Sequence, residues 1–294
     1  MRARQLEVFT AVMRAGTVTG AARLLNISQP ALSQILKHTE DQLGFALFVR
    51  EKGRLHPTPE AIEILPEAER LAAGLEGLKR KTEDLREGRS GLVRIAASAP
   101  PAMALLPRAL AEFRAKHPDV RLRSHVAPLS ALIGLLRSGE AAMALALDDR
   151  MPADILVEQV GQASFCCLLP KGDPLLALET VSFADLRSRT VISYRAPTRP
   201  QEELAAVARA EGAVFSPQLE IDVSISAVGF VQAGLGVGVV DALLPWTQFE
   251  GVAVRPLAGS PSMPLSLLTL RDRALSLAEQ LMRDHLSLMC RTHA

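Results

Sequence analysis

Residues 5–15 carry Leu6, Phe9 and Met13 on one helical face, and Gly16 ends the run, so the pattern predicts a first helix. Thr17 is placed to cap a second helix over about 18–25, rich in Ala21, Ala22, Leu24 and Leu25. Gly20 stands where Glu or Gln would complete a capping box. Asn26 and Ile27 read as a short turn. Ser28 then caps a third helix that has Pro30 in its first turn, where no intrahelical donor is needed. This helix runs to about Leu43, turns Leu32, Ile35 and Leu36 inward and stops at Gly44. Leu47–Thr58 reads as a two-stranded hairpin with Gly53 in its turn.

From Pro59 to Gly88 the chain is helical. Ile64, Ala68, Leu71, Leu75, Leu78, Thr82 and Leu85 alternate in steps of four and three, a heptad seam. Such a seam suits a two-stranded coiled coil, or a single helix packed on its own body. Beyond Gly91, short apolar runs alternate with helical stretches. Strands are predicted over 92–98, 120–126, 143–148, 155–160 and 164–170, with helices over 101–119 and 129–140 between the first three. Strand–helix–strand order implies a parallel sheet. Further strands at 190–194, 218–222, 236–240 and 264–270 are interleaved with helices near 200–211 and 226–233, and a last helix covers 274–291. The expected fold class is an N-terminal all-α winged helix-turn-helix with a linker helix, followed by an α/β domain of two subdomains. The boundaries are 1–58, 59–88 and 89–294. Subdomain I takes about 89–162 and 265–294, and subdomain II about 163–264.

Composition changes the picture in three places. Hydrophobic residues make up 48% and charged residues 22%, which excludes a disordered chain. The net charge of +1 conceals a split: residues 1–58 hold 8 Lys and Arg against 4 Asp and Glu, so the excess of acid lies in the remainder. A basic head on an acidic body suits phosphate contact. Cys166, Cys167 and Cys290 are too few for a disulfide framework and read as reduced thiols of a cytoplasmic protein. The polar start, Met1–Thr10, predicts no secretory leader. The longest uncharged run, Val223–Val240, contains Ser224, Ser226, Gln232 and four glycines, which makes a poor membrane span.

Base edges in a major groove are read by short hydrogen-bonding side chains at a helix N-terminus. Ser28, Gln29, Ser33 and Gln34 supply them, with Pro30 for apolar contact and Lys37 further along. Arg50, Lys52 and Arg54 alternate along the hairpin and would reach phosphates. The alternative is a three-helix bundle with a polar face.

The stretch GTVTGAARLLNISQPALSQILKHTEDQLGFALFVREKGRLHPTPEA resembles the signature region of LysR-type regulators. The alanine pair, SQPALS, TEDQLGFALF in place of LE-x-x-LG-x-x-LF, and GRLHPT carry the match. Gln34 departs from the Arg that many members carry. The stretches LLPRALAEFRAKHPDVRL and VQAGLGVGVVDALL resemble the family's periplasmic-binding-protein-like domain, although Ala142 stands where Asp is frequent. The resemblance implies double-stranded operator DNA as partner and a small-molecule effector between the two subdomains. It also implies a homodimer through the linker helix, a homotetramer built from it, and RNA polymerase as a partner if the protein activates. VFTAVMRAG, TGAARLL and KGRLHPTPEA look closest to the branch of the lysine-biosynthesis and opine-catabolism regulators, which implies an amino-acid-like effector.

Ligands of open α/β sheets sit at the carboxyl ends of the strands. Ser98, Ala99 and Pro100, Ser130, the segment Tyr194, Arg195, Thr198 and Arg199, and Ser224 with Ser226 are therefore the expected lining. Hydroxyls with Arg195 and Arg199 suit a carboxylate. GLGVGVV (234–240) has the wrong glycine spacing for a dinucleotide loop and precedes a strand instead of following one. The six histidines lack metal-ligand spacing, and no P-loop, H-E-x-x-H or G-x-S-x-G occurs. No cofactor, no metal and no enzymatic activity are expected.

Overall fold

Local signals account for the first unit. The computed structural model describes residues 1–51, 54–86 and 91–293, and the chain divides into two compact units at about residue 90. In the first, α1 (Ala3–Ala15), α2 (Val18–Leu24) and α3 (Gln29–Leu43) precede a hairpin of β1 (Phe48–Glu51) and β2 (Arg54–Pro57) and a long helix α4 (Pro59–Arg86). Thr17 and Ser28 cap α2 and α3 by accepting from Gly20 N and Ala31 N. Asn26 takes a left-handed φ of 51° in the turn between them, a conformation Asn tolerates. Phe9 and Val12 of α1, Ala21 of α2, Leu32 of α3 and Leu47 share one core.

Helix α4 belongs to that core at its start. Ala61 and Ala68 are buried there, with Ile64 packed against them. The predicted seam is therefore divided. Ile64 and Ala68 are used within the chain, whereas Leu71 and Leu78 stand 52% and 60% exposed. Lys79 Nζ donates to Glu7 Oε1 at 3.0 Å and holds the middle of α4 to α1.

The second unit contains β3 (Leu92–Ala97), α5 (Ala99–Ala104), α6 (Leu106–Lys116), β4 (Arg121–Val126), α7 (Leu129–Arg137), β5 (Met143–Ala146) and β6 (Ile155–Ala163). It continues through β7 (Phe165–Pro170), β8 (Val191–Tyr194), α8 (Arg199–Ala210), β9 (Leu219–Ile221), α9 (Ala227–Gln232), β10 (Val237–Asp241), β11 (Val252–Pro256), β12 (Met263–Leu270) and α10 (Leu277–His293). Two five-stranded sheets result, in the orders β4-β3-β5-β12-β6 and β11-β7-β10-β8-β9. Strands β3, β4 and β5 are parallel, as the strand–helix alternation implies. Both sheets are nevertheless mixed, because β12 runs antiparallel to β5 and β6, and β7 antiparallel to β10 and β11. The chain passes between the sheets at Ser164 and returns between Pro256 and Met263.

Each sheet is covered on both faces, which makes each half a three-layer sandwich. Phe113 of α6 and Met282 and Leu286 of α10 cover one face of the first sheet, and Leu132 and Leu136 of α7 cover the other. In the second sheet Cys167 points toward Leu204 of α8 and Cys166 toward Val228 and Val231 of α9, the alternation of a buried strand.

Two local expectations are corrected. The predicted helix over 101–119 is two helices broken at Leu105, because Pro107 has no N–H to return to the preceding turn. Strand β11 was not predicted. It is a short sheet-edge strand that ends in Pro256 and lacks a clear alternation. Gly236 explains the glycine-rich run before β10. Its φ is 157°, and a Cβ there would lie 2.2 Å from Thr190 O, so backbone contact rather than phosphate binding requires glycine.

Candidate nucleic-acid interface and effector cleft

Helix α3 presents two faces. Leu32 and Leu36 are buried in the head core, while Gln29, Pro30, Gln34 and Lys37 are exposed and Ser33 is half-buried. Ser28 is exposed at the N-cap with its hydroxyl turned to Ala31 N. The residues expected to meet DNA on this helix thus form one solvent-facing row at its start. Thr39 is buried, and its hydroxyl donates to Ile35 O at 2.8 Å, so the polar group is satisfied within the helix.

Arg50 and Arg54 lie on β1 and β2, and Lys52 lies outside the described residues. The hairpin is pinned at both ends. Glu40 Oε1 accepts from Leu47 N at 2.7 Å and Phe48 N at 3.2 Å, joining the hairpin's first strand to α3. Thr58 Oγ1 donates to Ala46 O at 2.9 Å and accepts from Ala61 N at 3.2 Å, closing the second strand and starting α4. Gln5 Nε2 donates to Gln42 Oε1 at 2.8 Å and links α1 to α3. Sequence reasoning did not assign these anchors, although Glu40 and Thr58 stand within the matched motifs.

In the body, α5 lies against the Ser224–Ser226 turn, which brings the end of β3 close to the start of α9. Ser98 follows β3, and its hydroxyl is buried without a hydrogen-bond partner among the described residues. Ala99 and Pro100 are half-buried in the first turn of α5, and Ser130 is exposed at the start of α7. Ser224 is buried, and Ser226 Oγ donates locally to Val223 O at 2.7 Å.

The Tyr194–Arg199 segment is committed to partners within the chain. Tyr194 is buried, edge-on to Phe165, and its hydroxyl donates to Asp241 Oδ2 at 2.8 Å and accepts from Asp241 N at 3.1 Å. Arg195 pairs with Asp222 and Thr198 Oγ1 donates to Arg195 O at 2.7 Å. Arg199 donates to Asp148 and Asp149. The tyrosine and both arginines expected to receive a carboxylate therefore already hold the protein's own.

Asp241, at the end of β10, is the functional-looking residue that sequence reasoning passed over. The available signal was a single acid closing the apolar run VGVVD, at the sheet end where ligands bind. Burial pushes its carboxyl up, opposed by the hydroxyls of Ser224 and Tyr194 and by the amides of Leu243 and Leu244. Burial also pushes the Tyr194 phenol well above its ordinary value, reinforced by the facing Asp241. Burial raises all three thiols, Cys166 well above its usual value, Cys167 to about 12 and Cys290 to about 11, which favours the protonated form.

The comparisons with known proteins agree along the whole chain. Residues 3–62 match the model of the bacterial regulatory helix-turn-helix protein, lysR family. Residues 86–290 match the LysR substrate binding domain. The transcriptional activator protein LysR of Escherichia coli (strain K12) is 30% identical over 284 residues, covering 96% of this chain and 91% of that protein. Regulatory protein NocR of Agrobacterium fabrum (strain C58) is 29% identical over 241 residues, covering 82% and 80%. The crystal structure of CbnR, a LysR family transcriptional regulator, shares the fold at a TM-score of 0.68 and 19% identity, covering 99% of both chains.

Replacing Tyr194 by Phe leaves Asp241 Oδ2 without its buried donor. We expect a loss of about 1–3 kcal/mol in unfolding free energy at pH 7. Urea denaturation checks this; an unchanged midpoint would mean that the bond contributes nothing to stability.

Proposed function

The chain belongs to the LysR family of DNA-binding transcription regulators, and from that premise we propose that α3 reads operator DNA while the body takes a small-molecule effector between its halves. The observation that carries the first part is the exposed row of Ser28, Gln29, Pro30, Gln34 and Lys37 on a helix held from behind by Leu32 and Leu36. A major groove accepts such a helix, and an amide side chain pairs with a base edge in two places. The basic hairpin serves phosphate contact. Residues 1–58 thus form the DNA-binding domain, 59–88 the linker and 89–294 the effector-binding domain.

The effector is amino-acid-like or another carboxylate, a class supported by the resemblance of the head to the lysine-biosynthesis and opine-catabolism branch. Ser98, with its buried and unpartnered hydroxyl among the described residues, is the first contact we assign, beside Ala99, Pro100 and Ser224. The ligand shifts the body between arrangements only through its preference for one of them. Two copies associate through α4, where Leu71 and Leu78 are exposed, and pairs of such dimers form the tetramer. The protein acts in the cytoplasm, as a regulator and not as an enzyme, and meets RNA polymerase where it activates.

Gln29→Ala should cost about 1–3 kcal/mol at the base pair it contacts and flatten sequence preference, whereas Lys37→Ala should weaken all sequences alike and lower the salt slope by about one. Fluorescence anisotropy on operator and scrambled duplexes separates the two; wild-type preference in Gln29→Ala would remove α3 from the base-reading role. Leu71→Asp with Leu78→Asp should dissolve the linker dimer, which light scattering reads as a lower mass; an unchanged mass would move the interface elsewhere. A thermal-shift panel of amino acids and small organic acids on the full chain should yield a stabilising carboxylate whose shift is diminished in Ser98→Ala. A panel without any stabilising compound would sink the assignment of effector class.

A further inference from the structure

Six charged side chains bridge the two halves of the body. Asp148, Asp149 and Arg150 follow β5 in the first half, and Arg199, Glu202 and Glu203 open α8 in the second. The guanidinium of Arg199 donates to Asp148 and Asp149 and, through Nε, to Glu203 Oε1 at 3.4 Å. Arg150 reaches in the other direction, to Glu202 Oε2 at 3.0 Å and Glu203 Oε1 at 3.1 Å. Because Glu203 accepts from both arginines, the pairings form one network, interlocked by an arginine from each side. Arg150 N donates to Asp148 Oδ1 at 2.9 Å, which orients that acceptor within its own half.

Burial grades the network. Arg199 and Asp148 are 14% and 13% exposed, so their attraction is weakly screened, while Arg150 and Glu202, at 56% and 53%, form a rim open to salt. The covalent connections between the halves are short segments, and these ion pairs add non-covalent contact between them. Ion pairs give closure that is directional and reversible: separated, both faces are charged and well solvated.

We propose that this network is an ionic latch that holds the halves of the body together before any effector binds and sets the balance between closed and open forms. Arg199 is then occupied in the closed form, and an anionic molecule reaches it only by displacing Asp148 and Asp149. The inference stands on the ion pairs and is independent of the effector's identity.

Hydrogen exchange read by mass spectrometry on the full-length protein tests it. In the wild type, peptides covering 147–152 and 200–206 should exchange roughly fivefold faster as NaCl rises from about 50 mM to about 1 M, with β3 and β10 unaffected. Asp148→Asn with Asp149→Asn should exchange fast at both salt concentrations. Arg150→Glu, at an exposed position that endangers folding least, should also speed exchange, and adding Glu202→Arg should restore it. Protection that is insensitive to salt in the wild type, protection that survives Asp148→Asn with Asp149→Asn, or failure of the charge swap to restore it would each overturn the latch.

Discussion

Strand β12 is the constraint on which the body depends. It lies between β5 and β6, antiparallel to both, and Met263, Leu265, Leu267 and Leu268 along it are buried. Yet it arrives only after the chain has traversed the whole of the other half. The first sheet is split until that return, with β6 separated from β5, and the core that α10 seals is open. Pairings of such long sequence separation make folding slower and bind the two halves into one cooperative event. The same routing joins the halves by two short segments, at Ser164 and between Pro256 and Met263.

The head solves a different problem. Helix α3 is exposed on one face and held on the other, burying Leu32 and Leu36 while Glu40 takes the hairpin's first amides. Charge-assisted acceptance of two backbone donors by one carboxylate fixes the hairpin relative to the helix more firmly than apolar contact alone. The exposed row on α3 and the hairpin thus share one frame, set by buried residues of the head core and by Glu40.

How far the sequence could be read follows from the range of each interaction. Caps at Thr17 and Ser28, the turn at Asn26 and the row on α3 are set by neighbours within four residues, and all were legible. The long motif match carried the wing and the family. What was not legible depends on distant partners: Arg199 meets acids about fifty residues earlier in the chain, and Tyr194 meets an acid nearly as far beyond it. An arginine near a predicted cleft looks available until its own carboxylates are located. The heptad pattern of α4 was real, but periodicity cannot say which turns face the protein's own core, and Ile64 and Ala68 do. Mixed strand direction escaped for the same reason, since alternation of elements constrains β3, β4 and β5 but not a strand returning from elsewhere.

Thr58 carries a last consequence. One hydroxyl grips the hairpin at Ala46 and the first turn of α4 at Ala61, and the residue is buried. There is no slack linker between them. The end of the hairpin and the start of the 28-residue α4 are thereby fixed to one another through a single side chain.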